Sequence, residues 1–150
     1  MYNIGGQYEP QKKRGEIMKY IYTAVFTFED GTVYARIPDL PGCITTGRDL
    51  SDAITQITDA ANGWLATAED EGLEINPPTP QNNVERQEGA VVSFIETDTI
   101  AYREKTETRS VRKNVSMPAW MAKMADRLDI NCSKVLQDAL RAKFESGGTV

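Results

Sequence analysis

The sequence predicts an α+β protein, in which a β-β-β-α-β domain is followed by a smaller strand-helix-helix domain. Three observations predict this class. Aromatic and β-branched residues flank an Asp30-Gly31 pair, which is typical of a two-residue hairpin turn. A long amphipathic helix pattern follows the hairpin. Near the C-terminus, a short segment of alternating polarity precedes two further helical patterns.

The first element is a β-hairpin. Its strands are expected at Tyr20 to Phe28 and Val33 to Ile37, because both runs are rich in residues that favour strands. The proline-containing run from Pro38 to Gly42 predicts a rigid turn. After this turn, Cys43 to Thr46 can form a third short strand.

A long helix follows the third strand. Asp49 is the expected N-cap, with Asp52 in a weak capping box, and Gly72 ends the helix. The polar run from Asn76 to Glu88 contains three prolines and predicts a loop, and Ala90 to Thr97 supplies a further strand. The apolar stripe of the helix, which should lie across the sheet, comprises Leu50, Ala53, Ile54, Ile57, Ala60, Ala61, Trp64, Leu65 and Ala68.

The C-terminal strand is the most informative stretch for function. From Arg112 to Met117 the residues largely alternate, so Arg112, Asn114 and Ser116 share one face. Arg and Asn can each bond two atoms of a base edge, and a two-stranded ribbon fits the major groove of B-DNA. A lone six-residue strand must find a partner, and we expect it to pair with its twin from a second chain.

Two short helices follow this strand. Pro118 suits the first turn of a helix, and Ser133 is the predicted N-cap of the second helix, which Gly147 and Gly148 end. A domain this small requires dimerisation. The order of one strand followed by two helices predicts a ribbon-helix-helix (β-α-α) dimer. The apolar faces comprise Met121, Met124, Ala125 and Leu128 in the first helix and Leu136, Ala139, Leu140 and Phe144 in the second.

The start of the second helix is a candidate phosphate site. Its free N–H groups and positive dipole end favour an anion. Asn131, Cys132, Ser133 and Lys134 are therefore expected to position the DNA backbone, whereas Arg112, Asn114 and Ser116 would read bases.

The domain boundaries follow from composition. Residues 18–98 form the N-terminal domain, the polar residues 99–108 are expected to be a linker, and residues 109–146 form the ribbon-helix-helix domain. Residues 1–17 are expected to be a disordered or non-native extension, because Lys12 to Ile17 can be encoded by a purine-rich ribosome-binding site before a true start at Met18. Intact Met1 in protein from the native locus, measured by mass spectrometry, would contradict this hypothesis.

The net charge of −5 conceals two halves of opposite sign. Residues 109–144 carry eight basic and three acidic residues, a net of +5, whereas residues 18–108 carry six basic and sixteen acidic residues, a net of −10. The basic half suits phosphate, and the acidic half suits either solvent or a basic protein. No signal peptide or membrane span is visible, and Cys43 and Cys132 are expected to be reduced core thiols in the cytoplasm.

Catalysis is not expected. The chain has no histidine, so it lacks the commonest general base and metal ligand. Turn and capping roles account for Asp30, Asp39 and Asp49, which leaves no unexplained carboxylate cluster for a metal. The sequence therefore predicts no catalytic residue, metal or cofactor.

The chain resembles HicB antitoxins of type II toxin-antitoxin systems, in the class with a C-terminal ribbon-helix-helix domain. The resemblance covers most of Met18 to Phe144 and rests on IPDLPGCITTG at residues 37–47, the helix DLSDAITQITDAANGWLATAEDEG and the terminal VRKNVSMPAWM and INCSKVLQDAL. It implies a reduced RNase H-like N-terminal domain that occludes a HicA-like toxin, a small basic mRNA interferase with a catalytic histidine. It also implies repression of the operon by a homodimer on operator DNA, with a dimer of dimers as a further order of assembly.

The candidate toxin-contacting residues lie in the acidic N-terminal domain. The acidic surface and the Pro-Asp-Leu-Pro turn suggest Asp30, Asp39 and Leu40. An alternative function is a stand-alone ribbon-helix-helix transcription regulator whose N-terminal domain binds an effector or another protein. A neighbouring short basic reading frame containing a histidine favours the antitoxin, and its absence favours the regulator.

Overall fold

A computed structural model of the chain describes residues 19–146. It divides into two compact units, called here unit 1 (up to Thr106) and unit 2 (from Glu107). Within the described range the protein has one antiparallel sheet and four helices, which confirms the α+β class. The predicted extension at residues 1–17 and the helix stop at Gly147 and Gly148 lie outside that range.

Unit 1 is built on a four-stranded antiparallel sheet in the order β3-β2-β1-β4. The predicted hairpin is confirmed: Asp30 (φ 49°) and Gly31 (φ 77°) both adopt the left-handed conformation that this turn requires. The strands are β1 (Lys19–Glu29), β2 (Thr32–Arg36), β3 (Ile44–Gly47) and β4 (Val91–Asp98).

Helix α1 (Leu50–Glu71) covers one face of this sheet, as predicted. The Asp49 carboxylate accepts a hydrogen bond from the Asp52 backbone N–H at 2.8 Å, and Gly72 (φ 65°) caps the other end. The Asp52 carboxylate accepts from the Arg48 N–H at 2.9 Å, so it caps the residue before the one a capping box would use.

The core of unit 1 lies between α1 and the inward side of the sheet. Tyr22 and Phe26 of β1 and Ile57 and Leu65 of α1 are fully buried there. The helix approaches the sheet closely at Gly47, where an added Cβ would lie 2.3 Å from the Ala53 backbone nitrogen. Only glycine permits this approach.

The prediction of a linker at residues 99–108 is wrong for most of that segment. Thr99–Thr106 form a helix, α2. Arg103 fixes α2 to α1 through its Nη2, which donates to the Ala66 carbonyl at 3.0 Å and to Glu69 Oε2 at 3.1 Å. Its Nη1 donates to Asp70 Oδ2 at 3.1 Å. These bonds join residues more than 30 positions apart, so local patterning could not indicate them.

The loop between α1 and β4 runs over the sheet. Thr79 donates its N–H to Asp39 Oδ2 at 2.8 Å, and Arg36 Nη2 donates to the Glu85 carbonyl at 3.2 Å. Arg36 pairs with Val25 of β1, whose side chain lies on the face away from α1 and is nevertheless buried. The loop therefore reaches that outward face at Arg36, beside the buried Val25.

Unit 2 contains two helices, α3 (Ala119–Arg127) and α4 (Cys132–Glu145), which confirms the predicted helical pair. They are joined by a turn in which Asp129 adopts φ 53° and the Ile130 N–H bonds the Ala125 carbonyl at 2.9 Å. None of the helices in residues 19–146 is long and apolar enough to cross a membrane.

Candidate functional site

The predicted DNA-reading residues lie together on an exposed segment of unit 2. Arg112, Asn114 and Ser116 are all solvent-exposed, and residues 107–118 of the single chain have no regular secondary structure. A strand requires a partner for its backbone groups, and the partner expected here belongs to a second chain. The ribbon therefore stays a prediction.

The candidate phosphate site lies at the first turn of α4. Asn131, rather than the predicted Ser133, is the N-cap, since its Oδ1 accepts from the Lys134 N–H at 3.0 Å. An Asn has a short acceptor that reaches this donor well, which explains why it competes with Ser. Lys134 Nζ also lies 3.0 Å from Asp138 Oδ2. Cys132 and Ser133 are exposed in the single chain, so unit 2 by itself does not make Cys132 the core thiol that the sequence predicted.

The apolar side of unit 2 is an open groove. Its volume is about 490 Å³, and its walls come from both helices and from the segment before them. Across residues 107–146, all of which are described, no side chain is buried. The groove is lined largely by Val115, Met117, Met121, Met124, Ile130 and Leu136.

A helix pair without a buried side chain lacks a core. The two helices present apolar stripes, and burial of such stripes is the main source of stability in short helices. The walls of the groove include Val115 and Met117, which are the apolar face of the predicted strand. Unit 2 therefore exposes a continuous apolar surface of the kind that marks an interaction site.

Of the three predicted toxin-contacting residues, only Asp30 is fully on the surface, in the β1–β2 turn. The Asp39 carboxylate accepts both the N–H and the Oγ1–H of Thr79, at 2.8 and 2.6 Å, so it fixes a loop. Leu40 is only 1% exposed and packs in the core, which corrects its assignment to a contact surface. Leucine in a tight turn can point inward, and the turn pattern alone does not give this direction.

Unit 1 also has an exposed apolar surface that was not predicted from the sequence. Ile21 of β1 and Phe94 of β4 are 57% and 60% exposed on the sheet face opposite α1. The signal was present in the run YIYTAVF, where apolar residues occupy both faces of the strand instead of one.

Burial also sets the chemistry of the polar groups in the core of unit 1. It raises the pKa of the Cys43 thiol to about 11, so this cysteine stays protonated at neutral pH. The Tyr22 hydroxyl donates to the Asn76 carbonyl at 2.7 Å, and burial raises the pKa of this tyrosine above its ordinary value. Among the described residues, no three Asp, Glu, Cys or His side chains come together where they could hold a metal ion.

Comparisons with known proteins agree with the resemblance noted above. Residues 22–140 match the family model described as HicB-like antitoxin of bacterial toxin-antitoxin system. No curated protein matched the chain.

Solved structures were also found to be similar. A chain of a toxin-antitoxin complex from Streptococcus pneumoniae shares 20% identity, with a TM-score of 0.54, over 84% of this chain and 99% of its own. The antitoxin HicB of Burkholderia pseudomallei shares 25% identity, with a TM-score of 0.47, over 84% of this chain and 98% of its own. The first of these shows a common fold.

Proposed function

Since this chain belongs to the HicB-like antitoxin family of bacterial toxin-antitoxin systems, we propose that it neutralises a HicA-like mRNA interferase by binding and occluding it. We further propose that it represses its own operon as a ribbon-helix-helix homodimer on operator DNA, with a dimer of dimers as the next order of assembly. The mechanism is binding, and unit 1 and unit 2 divide the two tasks.

The absence of any buried side chain in residues 107–146 carries the dimer proposal. A second copy would supply a strand to pair with residues 112–117 and apolar side chains to fill the groove. Pairing would place Arg112, Asn114 and Ser116 on one face of a two-stranded ribbon, where they would read base edges in the major groove. Asn131, Cys132, Ser133 and Lys134 would hold a phosphate at the start of α4.

The charge of unit 1 supports the toxin-binding proposal. The net of −10 over residues 18–108 would attract a basic ribonuclease and repel nucleic acid. The strand and helix order of unit 1 also supports a reduced RNase H-like fold. The similar chain from Streptococcus pneumoniae comes from a toxin-antitoxin complex.

Toxin binding is tested by co-expression with the protein encoded by the neighbouring short basic reading frame, followed by pull-down. Co-purification at a fixed ratio is expected. Deletion of residues 109–150 should leave this capture in place, with weaker binding because dimer avidity is lost, and should abolish repression of a promoter reporter. Repression without toxin capture would instead favour the stand-alone regulator.

Base reading is tested by substitution in the predicted ribbon. Arg112→Ala and Asn114→Ala should each cost about 1 to 3 kcal/mol in operator binding and relax specificity at one base pair. The matched control is Arg86→Ala, which removes an exposed arginine from unit 1 and should leave specificity unchanged. Gel-shift titration against the operator and single-base variants measures both effects. Unchanged operator affinity in both ribbon variants would contradict the assignment.

A further inference from the structure

The outward face of the unit 1 sheet carries an apolar surface that the fold does not use. We call Ile21, Phe94 and Glu96 the β1–β4 patch. Thr23 pairs with Phe94 and Ile21 pairs with Glu96, so all three side chains lie on the face opposite α1. Ile21 and Phe94 are diagonal neighbours on adjacent strands, close enough for a large side chain on a partner to contact both.

The exposure of this pair is unusual for a sheet face in contact with water. On such a face the outward positions of each strand are normally polar, and large apolar side chains such as Phe and Ile are normally removed from water. On the same face Val25 is buried where the α1–β4 loop bonds the neighbouring Arg36, whereas Ile21 and Phe94 are more than half exposed. The patch is therefore an apolar contact surface at the edge of the sheet.

The solvent side of α1 is another surface of unit 1, and it has a different character. Helix α1 contains five acidic residues and no basic residue, and Asp59, Asp70 and Glu71 are exposed. No large apolar side chain between Leu50 and Glu71 is exposed. An acidic helix surface without an apolar anchor is typical of a solvated face, since interface energy concentrates on aromatic and large apolar anchors.

Charge identifies the occupant of the patch. A second copy of unit 1 would bring another net of −10 against this one, and the two would repel each other. A basic protein would be attracted, and the exposed Glu96 carboxylate beside Ile21 offers it an ion-pair partner at the rim. Resting on the proposed antitoxin function, we propose that the β1–β4 patch is the surface on which unit 1 holds the basic toxin, with Phe94 as its apolar anchor.

The test measures the affinity of the full-length chain for the protein from the neighbouring basic reading frame, with its histidine replaced by alanine so that the cells survive. Phe94→Ala is expected to raise the Kd by at least about tenfold, as truncation of an anchor does. Phe94→Lys should weaken binding more than Phe94→Glu, because only the lysine adds repulsion against a basic partner. Leu73→Ala is the matched control: it truncates a half-exposed apolar residue just after α1, outside the β1–β4 patch, and should change the Kd by less than about twofold.

Circular dichroism and operator binding of each variant show whether the fold and unit 2 are intact. Wild-type binding together with unchanged affinity in the Phe94 variants would overturn the patch assignment alone. Failure of the wild-type chain to bind would overturn the antitoxin pairing, and the patch assignment with it. A drop in the mass of the free variant by light scattering, with toxin affinity unchanged, would assign the patch to a second copy and would also overturn the proposal.

Discussion

Unit 1 and unit 2 are both encoded by amphipathic patterns, yet their apolar side chains end in different environments. In unit 1, Phe26 and Leu65 are fully buried between sheet and helix. In unit 2, Leu140 and Phe144 are 40% and 44% exposed, although they belong to an equally regular helical stripe. An amphipathic stripe thus specifies which face must be buried, but not whether the same chain supplies the cover.

This difference fits the proposal that one chain serves two kinds of partner. Unit 1 has its own core and can present a fixed surface in any state of assembly. Unit 2 lacks buried side chains across residues 107–146, so its folding and its association are expected to be one event. Operator binding would then depend on chain concentration, whereas toxin binding to a single copy would not.

The largest expected effect comes from separating the units. A fragment of residues 18–106 should fold alone and melt at a temperature independent of concentration, because its core is internal. A fragment of residues 107–150 should be unfolded when dilute, and its melting temperature should rise with concentration. Far-UV circular dichroism over a hundredfold concentration range measures both, and concentration-independent melting of the second fragment would remove the distinction.

The next prediction compares the same type of substitution, leucine to alanine, in the two units. Leu65→Ala should lower the free energy of unfolding of unit 1 by about 2 to 5 kcal/mol, because it opens a cavity beneath α1. Leu140→Ala should leave the unfolding of unit 1 unchanged and weaken association of the full chain. Urea unfolding at two chain concentrations separates these outcomes; a loss in unit 1 from Leu140→Ala would show that the units are not independent.

The smallest expected effect is a change in stability on removal of an electrostatic contact at the start of α2. The Asp98 carboxylate accepts from the Ala101 N–H at 3.0 Å and lies 3.3 Å from Lys19 Nζ. The hydrogen bond from Ala101, aided by Lys19, lowers the pKa of Asp98 despite partial burial. A lowered folded-state pKa stabilises the fold above the ordinary value of 3.8, and this contribution is lost as the pH falls through the folded-state pKa.

Asp98→Asn should therefore reduce the stability of unit 1 at pH 7 by about 0.5 kcal/mol, because an exposed ion pair is screened by water. At pH 3 the difference from the wild-type protein should shrink. Urea unfolding at the two pH values measures this. An equal difference at both would show that the carboxylate charge does not contribute.

Elements with strong local signals were predicted well. The Asp30-Gly31 turn and the cap of α1 at Asp49 were predicted because turn and capping preferences act over a few residues. Helix α2 was not predicted, since it is short and polar and is fixed by Arg103 on acidic residues of α1. The N-cap of α4 was misplaced by two residues because Asn131 and Ser133 are both good caps.

The sequence by itself determined the α+β class, the order of the elements, the charge division and the membership in this antitoxin family. These properties depend on residue type and on spacing along the chain. Only the tertiary structure decided that Leu40 is buried, that Asp39 fixes a loop and that Ile21 and Phe94 lie side by side in solvent. Such facts depend on which distant segment covers a residue, and burial by a distant segment is a property of the folded chain that no local pattern specifies.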